Sequence, residues 1–132
     1  MTLTAKDLRD LPAQDVEDAL KELTPDQLEE LQFNWEFWAR PDQLEPSGKE
    51  WLTWFFNAGR GAGKTRAGAE WVRSLVQRGH RRIAAVASTN ADIERVMVKG
   101  DSGLLSVCWK GDKTHRGKPI GYPEWSPTKR TM

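Results

Sequence analysis

The chain has 132 residues, 38% hydrophobic and 30% charged, a size and composition expected of one soluble globular domain with a single core. One cysteine, Cys108, excludes an internal disulfide and any paired-cysteine zinc or redox motif, so a cytoplasmic setting is expected. The net charge of +1 hides an asymmetry: residues 1–40 hold 4 Lys/Arg against 10 Asp/Glu, and residues 41–132 hold 16 against 9, which places any anion site in the second part.

Residues 1–40 read as a helical N-terminal segment, punctuated by Pro12 and Pro25. Thr24 followed three residues later by Gln27 forms a capping box, with Pro25 at the first helical position. Leu28, Leu31, Trp35 and Trp38 then fall at helical spacing and predict one apolar stripe. The acidic faces of these helices suit a protein partner; the alternative is a helical cap with a solvated face. Residues 41–50, with two prolines and Gly48, predict a linker.

From Trp51 the run WLTWFFN predicts a buried strand. Residues 64–78 restore a helical period, with Gly68, Ala69, Val72, Leu75 and Val76 on one face, Arg66, Glu70, Arg73 and Gln77 on another, and Gly79 as terminator. Ile83 to Ala87 predict a second strand covered on both sides, giving a βαβ order. Thr89 or Asn90 then caps a helix reaching roughly Lys99, and SGLLSVC adds a short one. The core thus spans 51–108. Residues 109–132 form a basic, irregular tail with interleaved aromatics, suited either to DNA contact or to a solvated connection. No apolar stretch approaches the ~18 residues of a membrane span.

Between the first predicted strand and its helix lies AGRGAGKT, residues 58–65, a relaxed Walker A pattern. Gly59, Gly61 and Gly63 let the backbone reach positive φ and approach phosphate oxygens, and the helix N-terminus presents its amides and dipole to the same anion. With Ala58 and Ala62 they form the phosphate-binding turn. Lys64 is expected on the β and γ phosphates of ATP, the Thr65 hydroxyl on Mg²⁺, and Arg60 on the γ phosphate during transfer. Hydrolysis also needs an apolar strand ending in an acid, and the second predicted strand ends in Ser88 and Thr89 instead. Binding of ATP and Mg²⁺ with little or no turnover is therefore expected. A structural glycine-rich turn in a non-catalytic interaction module is the alternative, and a small nucleotide kinase is a third reading.

The segment AGRGAGKTRAGAEWVR at 58–73, with WEFWARPDQLEP before it and STNADIERVMVKGDSGLL after it, resembles the large terminase subunit of tailed bacteriophages and gene transfer agents. The resemblance covers nearly the whole chain. It implies a P-loop NTPase-type α/β fold: a parallel sheet with flanking helices behind an N-terminal helical segment, here an incomplete ATPase core lacking Walker B and the nuclease domain. It further implies that Lys64 and Thr65 are the Walker A pair, that Arg60 is the P-loop arginine and that Gln43 recognises adenine. The implied partners are double-stranded DNA, the capsid portal and the small terminase subunit. Departures are Ala58-Gly59 in place of paired glycines and Phe56-Asn57 in place of an aliphatic strand end.

Overall fold

The computed structural model describes residues 4–48 and 50–129. They form two compact units, divided between Leu44 and Glu45.

The first unit is helical. Helices α1 (Ala5–Arg9), α2 (Ala13–Lys21), α3 (Pro25–Gln32) and α4 (Trp35–Trp38) lead into a 3₁₀ turn, Pro41–Gln43. The box at Thr24 forms: its hydroxyl accepts from Gln27 N–H at 3.3 Å, and Gln27 Oε1 accepts from Thr24 N–H at 2.8 Å. The expected single stripe does not form. Asn34 takes the N-cap of α4, its side chain accepting from Phe37 N–H, so the helix restarts there with a new phase. Phe37 is the residue buried by that restart, while Trp38 is half exposed, its indole N–H donating to Leu31 O at 2.7 Å.

The second unit is built on α5 (Lys64–Gln77), which ends as a Schellman motif: His80 N–H reaches Leu75 O, and Gly79 N–H reaches Val76 O. Gly79 supplies the required positive φ of 96°. Thr89 caps a short α6 (Asn90–Asp92), accepting from Asp92 N–H at 3.1 Å, and the chain continues as a π-helical stretch, Ile93–Val98. Helix α7 (Leu104–Val107) follows. It packs on α5, with the π-helical stretch against both, and Ala67, Ala69, Val98 and Val107 are buried.

The parallel sheet expected from the sequence is absent. Among the described residues there is no strand, and an isolated antiparallel bridge pairs Lys113 with Pro119. A ladder needs neighbouring backbones in register, and neither predicted strand finds one. Residues 51–57 are held to α5 by rings instead: Trp54 meets Trp71 edge to face at 5.9 Å, Trp51 lies 6.5 Å from Trp71, and Trp54 stacks on Phe56. Residues 81–87 run without helix, turn or bend. Phe55 and Val86, read as strand interior, are 83% and 82% exposed.

Candidate functional site

The glycine-rich turn is formed by the second unit alone. Gly61 and Gly63 both lie in the left-handed region, each at φ 78°, on either side of Ala62. Gly59 does not, so only two of the three glycines are required by backbone conformation. Ala62 N–H donates to Gly59 O at 3.4 Å across the turn. Gly63 then serves as N-cap of α5 with no side-chain cap, and the helical ladder begins with Ala67 N–H on Gly63 O at 2.9 Å. By helix geometry the amides of Lys64 and Thr65 have no acceptor within the helix, so the first turn offers donors and the positive dipole end to an anion.

Lys64 folds back over this turn. Its ammonium donates to the carbonyls of Ala58 at 2.6 Å and Gly59 at 2.7 Å, so it lies at the entrance of the loop. Arg60 is exposed at the apex, and Thr65 is half-buried in the first turn of α5. The structure therefore brings Ala58, Gly59, Arg60, Gly61, Ala62, Gly63, Lys64 and Thr65 into one turn and helix start. Gln43 belongs to the other unit. It is 6% exposed, and its Oε1 caps the 3₁₀ turn by accepting from Arg40 N–H at 3.0 Å.

The donor set fits a phosphate chain: main-chain amides, one ammonium and one guanidinium. For Mg²⁺ the turn supplies the Thr65 hydroxyl, and no group of three or more His, Cys, Asp or Glu able to hold a metal exists among the described residues. A magnesium ion here would take its remaining oxygens from phosphate and water, which suits its preference for a largely hydrated octahedron.

Beside the loop lies a charged network that helical periodicity did not disclose. Arg66, in the first turn of α5, binds Glu70 through Nε at 2.9 Å and Nη2 at 2.7 Å. Glu70 Oε2 meets Arg73 Nη1 at 3.3 Å, and Arg73 Nη2 reaches Asp112 Oδ1 at 2.5 Å. Gln77 adds a bond to Asp112 at 3.0 Å, and Asp112 Oδ2 accepts from Trp109 N–H at 2.9 Å. Glu70 and Asp112 are buried. Burial drives the Glu70 carboxyl above its ordinary pKa despite the two opposing guanidinium groups. The spacing i, i+4, i+7, i+11 of Arg66, Glu70, Arg73 and Gln77 placed them on one face. What it could not reveal was the partner, Asp112, 39 residues from Arg73.

Consequently the start of the basic tail is fastened to α5. His115 N–H donates to Gln77 O at 3.0 Å, Ile120 N–H to Asp112 O at 2.9 Å, and Tyr122 Oη to Leu105 O at 2.6 Å. Cys108 is half-buried in this region, and burial, reinforced by the Asp112 charge, pushes its thiol up to about 11. Comparison of the chain with family models, with curated proteins and with solved structures gives no match.

Proposed function

We propose that residues 58–65 bind the phosphate chain of ATP with Mg²⁺, in the nucleotide-binding part of a DNA-packaging ATPase of the large-terminase kind. The observation that carries the proposal is the pair of left-handed glycines, Gly61 and Gly63, opening an uncapped 14-residue helix with Lys64 at its first position. Amides at that helix start hold phosphate oxygens, and Lys64 exchanges the Ala58 and Gly59 carbonyls for the β and γ phosphates. Arg60, exposed at the apex, is placed to add a second cation, and Thr65 offers its hydroxyl to magnesium. DNA, the portal and the small subunit as partners follow from the sequence resemblance.

One observation favours a second reading, a structural turn in a non-catalytic module: the Lys64 ammonium is satisfied by two carbonyls of its own loop. Calorimetric titration separates the two. The chain should take up Mg-ATP and inorganic tripolyphosphate, and Lys64→Ala should weaken both by on the order of tenfold to a hundredfold, matching the ~1.5–3 kcal/mol typical of charge-assisted hydrogen bonds. Absence of heat and of thermal stabilisation with either ligand at millimolar concentration sinks phosphate binding and leaves the structural turn. Phosphate release should stay near background, because no acid-terminated strand follows the loop among the described residues.

A further inference from the structure

We propose that the groove beside residues 81–87 takes an extended, acidic segment of a partner protein, which pairs with the free main chain of residues 83–87. That run, IAAVA, passes without helix, turn or bend, and its backbone makes no hydrogen bond among the described residues. Unpaired N–H and C=O groups beside apolar side chains are the template for strand addition, and an extended chain is the form that satisfies them in series. Side chains alternate along the run: Ala85 and Ala87 are half-buried, Ala84 and Val86 exposed. A strand laid alongside therefore turns every second side chain toward the groove, which has a volume of about 910 Å³ and a lining that includes Val72, Val76, Val98 and Leu104. Those positions of the partner are apolar.

Charge fixes the residues between them. Arg81 and Arg82 stand at the head of the run, Arg95 lines the same groove, and all three are exposed. Arg81 and Arg82 enter no ion pair among the described residues. The carboxylate in this lining, Glu94, is already bonded to Lys99 at 2.5 Å, so it does not neutralise them. Opposite charges on neighbouring strands attract and like charges repel, so a partner strand carries acids where it passes the arginines. By alternation Arg82 shares the outward face with Ala84 and Val86, which places acids between the apolar residues that enter the groove. A nucleic acid would answer the arginines too, but its sugar-phosphate chain has no amides to pair with residues 83–87 and no aliphatic side chains for the lining.

The test uses the full chain and short fluorescein-labelled peptides, read by fluorescence anisotropy. A peptide in which valine alternates with glutamate should bind wild type. Oligoglutamate, which lacks the apolar residues, and a peptide in which valine alternates with lysine should each bind at least about tenfold less tightly. Arg81 and Arg82 are exposed, so Arg81→Glu with Arg82→Glu spares the fold, which circular dichroism verifies, and should shift the preference to the valine–lysine peptide. No binding of the valine–glutamate peptide overturns the proposal. So does equal binding of oligoglutamate or of a single-stranded oligodeoxynucleotide, which makes the groove a general polyanion surface. A double variant that keeps the wild-type preference overturns it as well. Lys64→Ala should bind the valine–glutamate peptide like wild type; loss of binding there assigns the acidic chain to the phosphate turn and overturns the groove as its site.

Discussion

The guanidinium of Arg73 grips the carboxylate of Asp112 through Nε at 3.0 and 2.9 Å, joining the middle of α5 to a loop 39 residues further along the chain. Arg73 retains 10% side-chain exposure and Asp112 6%, so the pair is nearly dry. Ion pairs in such surroundings are hard to break, because the survivor keeps its charge and loses its partner.

Asp112→Ala should therefore destabilise the second unit by ~3–5 kcal/mol, read as a fall in the denaturant midpoint. Joint replacement by Arg73→Met and Asp112→Leu should recover much of that loss, since no charge is then stranded. Equal destabilisation in the single and joint variants contradicts this account.

Glu70 behaves in the opposite sense. Burial raises its folded pKa, so its contribution is present in full below the ordinary carboxyl range and is lost as pH rises through the folded value. Glu70→Gln should compare best with wild type at neutral pH and fall behind on acidification. Unfolding curves at several pH values check the trend, and a gap that narrows toward acid reverses the assignment.

The two kinds of glycine in the phosphate turn should separate cleanly. At Gly61 a Cβ meets no atom within 4 Å, so Gly61→Ala suffers only the left-handed backbone cost of about 1–2 kcal/mol. Gly59→Ala, with equal space and no positive φ, should stay within about 0.5 kcal/mol of wild type. Thermal melts of both variants decide the matter.

Cys108 should resist alkylation. A thiol raised from 9.0 to about 11 holds on the order of a hundredfold less thiolate at pH 8, and iodoacetamide labelling should slow accordingly. The raised folded pKa also means stability that is complete below pH 9 and declines as pH climbs through 11. Fast labelling of native protein at pH 8 excludes the assignment.

Local signals were legible wherever one turn of chain contains its own explanation. Thr24 with Gln27, Thr89 at the head of α6, Gly79 at the end of α5 and Gly61 and Gly63 of the turn all act within about six residues. The sheet was misread for the complementary reason. WLTWFFN and IAAVA have strand-like composition, but a strand is defined by a neighbour, and aromatic contacts of Trp51 and Trp54 with Trp71 took the place of a ladder for the first. The Leu28 to Trp38 stripe failed because Asn34 reset the helical phase.

Residue order alone determined the caps, the glycine turn and the placement of Lys64 at the start of a helix, since these depend on steric limits and hydrogen bonds between near neighbours. Tertiary structure decided that Glu70 and Arg73 face inward, that Asp112 meets them, and that the apolar runs remain unpaired. Burial and charge pairing are properties of surroundings drawn from distant parts of the chain, and no local spacing specifies them.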